Sequence, residues 1–163
     1  MLGHPTELVV VTGGEPLLQQ DLLAPLVQTL VDAGRRVEVE TNGTVVPSQP
    51  LAGTVTRFNV SPKLAGFAAT GDAQRRVNPE ALRALGATGR AVFKFVATGL
   101  DDLDEVAELQ RRFDLHPVWV MPEATAAGTL LDAMRRIAEE VVARGWNLST
   151  RLHVLLWGDA RGR

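Results

Sequence analysis

The chain has 163 residues, 45% of them hydrophobic and 22% charged, which predicts a single domain with a hydrophobic core over residues 1–163. Its formal net charge of −2 argues against a nucleic-acid or anionic-membrane partner, and its apolar runs are too short for a transmembrane helix, so a cytoplasmic location is expected. It contains no cysteine, which excludes disulfides and thiolate metal sites within these residues.

The first half of the chain alternates between strand-like and helix-like segments. Strands are indicated by β-branched or alternating apolar residues, and helices by apolar residues three and four positions apart. The predicted elements, in chain order, are a strand at residues 7–11, a turn at 12–16, a helix from Asp21 to Gly34, a strand at 37–41 and a turn at Asn42-Gly43.

The second half continues the same alternation. Asn78 followed by Pro79 indicates the capped start of a helix, and Gly145 ends the longest helix. The predicted elements are a strand at 58–60, a loop or short helix at 64–77, a helix after Asn78, a strand at 91–96, a helix after Asp102, a strand at 117–120, a helix ending at Gly145 and a last strand at 152–156. Alternating strands and helices predict an α/β fold with a mostly parallel sheet.

Polar clusters containing Gly or Pro follow four of the predicted strands. They occupy residues 12–16, 40–44, 61–63 and 121–123. Because the carboxyl ends of parallel strands meet at one edge of a sheet or barrel, these clusters are expected to form a single site.

The cluster after the first strand reads Gly13-Gly14-Glu15-Pro16, and it resembles the motif with which radical S-adenosylmethionine (SAM) enzymes hold the amino group of SAM. Further clusters occur here in the order found in one subfamily, the 7-carboxy-7-deazaguanine synthases. These clusters are residues 40–44, 61–63, 93–96, 119–123, 153–157 and 161–163. The resemblance covers nearly the whole chain and implies a partial (β/α) barrel of the radical SAM type, with the first strand and the cluster loop missing.

The resemblance also implies binding residues at matching positions. The implied SAM contacts are Gly13, Gly14, Glu15, Ser61, Pro62, Lys63, Met121, Pro122, Glu123 and Ala124. The implied contacts of a pterin substrate are Thr12, Glu40, Asn42, His153 and the terminal carboxylate of Arg163.

Four of the singled-out residues have a structural alternative. Glu40 and Asn42 fit a solvated carboxylate beside an Asn-Gly turn as well as they fit contacts to a pterin. His153 fits either a substrate contact or a hydrogen-bonded core histidine. Lys94 either faces the barrel interior, where it meets a carboxylate of SAM or substrate, or extends its ammonium group to water.

The activity that the resemblance implies is a carbon–nitrogen lyase reaction toward queuosine and other 7-deazapurines. It converts 6-carboxy-5,6,7,8-tetrahydropterin to 7-carboxy-7-deazaguanine with loss of ammonia. It uses SAM, a [4Fe–4S] cluster and Mg²⁺, with an electron donor such as flavodoxin or ferredoxin, and a homodimer is left open. Another radical SAM enzyme and a cluster-free SAM- or pterin-binding protein are the alternatives.

The absence of cysteine has two expected consequences. Thiolates hold iron–sulfur clusters, so this chain is expected to lack the upstream cysteine loop and the Mg²⁺ ligand beside it, and to be inactive alone. Without a strand before it, the run at residues 8–11 would lie at an open sheet edge, where chains associate.

Overall fold

The structure, a computed structural model, describes residues 5–67, 77–158 and 160. The strands are β1 (Leu8–Val11), β2 (Arg36–Thr41), β3 (Arg57–Val60), β4 (Ala91–Ala97), β5 (Val118–Pro122) and β6 (Asn147–Leu148). The α-helices are α1 (Gln20–Asp32), α2 (Gln49–Thr54), α3 (Pro79–Ala87), α4 (Leu100–Phe113), α5 (Ala127–Ala143) and α6 (Leu152–Trp157). Short 3₁₀ helices occupy Pro16–Gln19 and Ala65–Phe67.

The six strands form one sheet in the order of the sequence, β1-β2-β3-β4-β5-β6, and every neighbouring pair is parallel. A helix connects each strand to the next, as right-handed crossovers require. Among the described residues β1 and β6 each pair on one side only, so the sheet is not closed. The expected α/β fold with a partial barrel and a parallel sheet is therefore confirmed.

One face of the sheet forms the core beneath the helices. Every second side chain of the central strands is inaccessible there, including Phe58 on β3 and both Phe93 and Phe95 on β4. Burial of each such side chain contributes about 1.5–3 kcal/mol. This alternation fixes the register, because a slip by one residue would expose all three rings.

The opposite face, which we call the open face, carries half-buried and polar side chains. Glu38, Asn59, Lys94 and Trp119 lie on it, and strand pairing places Lys94 beside Trp119. Val92 and Val96 share this face with Lys94, since β4 alternates buried and half-buried residues along its length. The structure thus places Lys94, half-buried, on the sheet face opposite the helices, and its role as a ligand contact stays a prediction.

The predicted strand at residues 152–156 is wrong, since these residues lie in α6. A strand would place Leu152, Val154 and Leu156 on one face, yet Val154 is 1% exposed and the two leucines are 60% and 57% exposed. The edge of β5 is already paired with the two-residue strand β6, which the sequence pattern did not indicate.

The remaining boundaries agree closely with expectation. The first helix begins earlier than Asp21, because Pro16 starts a 3₁₀ turn that leads into α1. Asn78 caps α3 by accepting from the backbone N–H groups of Glu80 and Ala81, as predicted. Residues 68–76 of the predicted loop lie outside the described residues. None of the described helices combines the length and apolar character needed to cross a membrane.

Candidate functional site

The turn after β1 exposes the backbone of two glycines at the carboxyl edge of the sheet. Gly13 and Gly14 have φ angles of 102° and 56°, in the region that favours glycine. Thr12 and both glycines are exposed, whereas Glu15 and Pro16 are buried. The backbone of this turn is therefore accessible to a ligand, as the sequence predicts for its SAM contacts.

The Glu15 side chain is directed into the protein rather than toward the rim. Its carboxylate accepts hydrogen bonds from the Leu17 N–H at 3.1 Å, the Thr41 hydroxyl at 2.7 Å and the Asn42 N–H at 2.7 Å. These bonds tie the end of β1 to the end of β2. Glu15 is thus a positioning residue through its side chain, and the SAM contact predicted at this position stays a prediction.

Two of the predicted substrate residues meet at the same rim. The Thr12 hydroxyl donates to Glu40 Oε2 at 3.0 Å, joining β1 to β2 at the surface. Asn42 Oδ1 accepts from both the N–H and the hydroxyl of Thr44, at 2.9 and 2.6 Å. The Asn-Gly turn is therefore present, and the side-chain amide nitrogen of Asn42 has no partner among the described residues and can reach a ligand.

Gly43 is required by this turn, and we expect Gly43→Ala to destabilise the protein by about 1–3 kcal/mol. Its φ is 78°, and an added Cβ would lie 2.9 Å from both Leu82 Cδ2 and Val60 Cγ1. Urea unfolding of the variant measures the change. Gly53→Ala in α2, with open space around the added atom and no positive φ, is the matched control and should lose no stability. Equal losses in both variants would contradict the assignment.

A cavity of about 220 Å³, the β3–β5 cavity, lies between the ends of β3 and β5. Its lining residues are Ser61, Pro62, Lys63, Leu64, Phe67, Val96, Met121, Glu123 and Arg151. The structure thus brings together two of the predicted SAM clusters, residues 61–63 and 121–123, on either side of β4. Pro122 and Ala124 are buried behind the lining.

A second cavity, of about 460 Å³, lies on the open face. Lys94, Arg57 and Trp119 line it together with Thr150, whose hydroxyl is buried without a hydrogen-bond partner in the described part of the chain. Arg57 lies 3.7 Å from Glu38, whereas Lys94 has no acidic partner among the described residues. A half-buried ammonium group in this position favours an anionic ligand.

Two of the predicted substrate contacts, His153 and Arg163, lie near the C-terminus. His153 is exposed on α6, so the core-histidine alternative is wrong, and it lines neither of these two cavities. Arg163 lies outside the described residues.

Arg151, by contrast, lines the β3–β5 cavity and was missed by the sequence analysis. The wrongly predicted strand at 152–156 placed Arg151 before a strand. In the structure it follows β6 and so lies at the carboxyl edge.

The residues present do not fit an iron–sulfur cluster. Thiolates hold such clusters, and the 163 residues contain no cysteine. The described residues also bring together no group of three His, Asp or Glu side chains that could hold a metal ion.

Solved structures with the same fold define the class. The chain superposes on SuiB from Streptococcus suis bound to S-adenosylmethionine with a TM-score of 0.61 at 12% identity, over 91% of this chain and 39% of that one. The chain also superposes on a domain of pyruvate-formate lyase-activating enzyme from Bacteroides vulgatus. The TM-score is 0.61 at 12% identity, over 87% of this chain and 97% of that one. The fold is an incomplete (β/α) barrel of the radical SAM type.

Curated relatives define the family within that class. No protein-family model matches the sequence. The 7-carboxy-7-deazaguanine synthase of Pyrobaculum aerophilum is 35% identical over all of this chain and 69% of its own length. Those of Halobacterium salinarum and Hyperthermus butylicus are 34% and 37% identical over 93% and 94% of the chain. The chain belongs to the 7-carboxy-7-deazaguanine synthase family, and it spans about two thirds of the length of these relatives.

Proposed function

We propose that this chain provides the SAM- and substrate-binding part of a radical SAM lyase. The reaction converts 6-carboxy-5,6,7,8-tetrahydropterin to 7-carboxy-7-deazaguanine with loss of ammonia, in queuosine and 7-deazapurine synthesis. The observation that carries the proposal is the β3–β5 cavity, which residues 61–63, Met121 and Glu123 line from the ends of two different strands. The family membership of the chain supports the same reaction.

The chain's own residues bind and orient SAM, which supplies the hydrogen-abstracting group. The β3–β5 cavity receives the nucleoside end, with Ser61 and Lys63 offering polar contacts on one wall. The Gly13-Gly14 backbone receives the amino end. The two sites are compatible with one extended ligand, because β1 and β3 are two strand spacings apart, or about 10 Å.

The pterin occupies the rim and the open face beside SAM. Thr12 and Glu40 offer a hydroxyl and a carboxylate, groups suited to the donors and acceptors of a pterin edge. Lys94 offers a cation for the substrate carboxylate, since it lines the open-face cavity without an acidic partner in the described part of the chain.

A second function is favoured by the amino-acid composition. Because these residues contain no cysteine, the thiolates of a cluster would have to come from outside them. A protein that binds SAM or a pterin without an iron–sulfur cluster is consistent with the same cavities.

The distinguishing experiment is an anaerobic assay of the protein purified from its own gene. SAM, the carboxylated tetrahydropterin and reduced flavodoxin are supplied, and the product is detected by mass spectrometry. About four iron atoms per chain together with 7-carboxy-7-deazaguanine supports the lyase. SAM binding without iron or product supports the cluster-free binding protein, and no SAM binding contradicts both.

Narrowing the β3–β5 cavity should weaken SAM binding. We expect Val96→Phe to raise the Kd for SAM at least about tenfold, equivalent to about 1.4 kcal/mol, since the added ring would occupy the cavity. Val92→Phe is the matched control. Val92 is half-buried on the same sheet face as Val96, but it lines the open-face cavity instead. Isothermal titration with SAM measures both, and equal effects would contradict the assignment of the cavity.

A further inference from the structure

We propose that Arg151 is a binding residue for the nucleoside end of SAM, an inference that rests on the proposed function of the β3–β5 cavity. Arg151 is half-buried between β6 and α6, and its side chain lines this cavity. Its Nη1 donates to the carbonyl oxygen of Ala124 at 2.7 Å. It is thereby held against the segment between β5 and α5.

The guanidinium group has more donors than the protein satisfies. It carries five N–H groups, and the Ala124 carbonyl is the acceptor shown for them within the described part of the chain. No carboxylate of the described residues forms an ion pair with it. Because a half-buried charged group with one protein acceptor for five donors is unfavourable, the cavity is suited to a ligand that supplies further acceptors. Adenine ring nitrogens and ribose oxygens are such acceptors.

The position of Arg151 indicates that it contacts the nucleoside end of SAM rather than the amino-acid end. Its partner Ala124 follows β5, whereas Gly13 and Gly14 follow β1, four strands away in the sheet. Measured along the curved sheet, four strand spacings of about 4.8 Å amount to about 19 Å. Arg151 therefore belongs to the end of the site opposite the one predicted to hold the amino group.

Three variants separate this role from a purely structural one. Arg151→Met removes every donor. Arg151→Lys keeps the positive charge and a donor that can bind the Ala124 carbonyl, but loses the planar fork. If Arg151 served only to hold Ala124, Arg151→Lys would bind SAM as the wild type does. Arg144→Gln is the control, because Arg144 bonds the Leu103 carbonyl, Asp104 and Glu140 and does not line the cavity.

The ligands are SAM, 5′-methylthioadenosine, which lacks the amino-acid carboxylate, and methionine, with affinities measured by titration calorimetry. We expect Arg151→Met to raise the Kd for SAM and for 5′-methylthioadenosine by the same factor, about tenfold or more. Arg151→Lys should raise both Kd values by a smaller factor. Arg144→Gln should lower Tm while leaving both affinities within about twofold of wild type.

Three results would overturn the proposal. They are unchanged affinities in Arg151→Met, wild-type affinities in Arg151→Lys, and a loss confined to SAM that spares 5′-methylthioadenosine. A wild-type protein that binds neither nucleoside would instead contradict the proposed function itself.

Discussion

Replacing Glu15 by glutamine is expected to destabilise the protein by about 2–4 kcal/mol. The carboxylate accepts three hydrogen bonds, from Leu17, Thr41 and Asn42, and the residue is 9% exposed. An amide presents one oxygen and one NH₂ group to these three donors, so a buried N–H or hydroxyl is left without an acceptor. Urea unfolding measures the loss.

The same substitution is expected to weaken SAM binding, because Glu15 holds the glycine turn of β1 against the end of β2. Glu108→Gln is the matched control, since Glu108 is exposed on α4 and should change stability by less than about 0.5 kcal/mol. A Glu15→Gln protein as stable as this control would show that the three bonds are not needed. A destabilised Glu15→Gln variant with wild-type SAM affinity would contradict the expected link between Glu15 and SAM binding.

Purified wild-type chain is expected to self-associate with increasing concentration, and Val10→Lys to shift it strongly toward the monomer. The outer edge of β1 is unpaired within the described part of the chain, which leaves backbone groups open to another strand. Apolar side chains are exposed at that edge: Leu8 and Val10 are 38% and 45% exposed, and Leu22, which lines a cavity with Val11, is 77% exposed. A charged lysine on an edge strand opposes such pairing.

Sedimentation equilibrium measures the effect as a rise in the dissociation constant of at least about tenfold, equivalent to about 1.4 kcal/mol. Val142→Lys on α5 is the control, because Val142 is 70% exposed and lies on a helix, away from the sheet edge. A wild-type chain that remains a monodisperse monomer at all concentrations would contradict the prediction, as would equal effects of the two lysines.

The sequence pattern predicted the strands well where buried and half-buried residues alternate. The β-branched and aromatic runs of β2, β3, β4 and β5 alternate between core and open face, so period and propensity agree. Residues 152–156 were misassigned because a five-residue segment with four apolar side chains fits a short helix as well as a strand. β6 was missed because two residues carry no detectable period.

The expectation that polar clusters after parallel strands lie at one edge of the sheet agrees with the structure, but it does not give their pairing within that edge. It does not show that residues 61–63 and 121–123 share a cavity, which depends on β4 lying between β3 and β5. Nor does it show that Glu15 points inward, because its partners Thr41 and Asn42 come from a strand end 26 and 27 residues away. Side-chain direction at a turn depends on such distant partners.

Met121 lines both the β3–β5 cavity and the open-face cavity. Its unbranched side chain has three rotatable bonds and adapts to irregular space. The two cavities therefore share a movable wall, and a ligand that displaces it from one side reduces the room on the other. Two molecules that enter these cavities are therefore expected to influence each other's binding through the side chain of Met121.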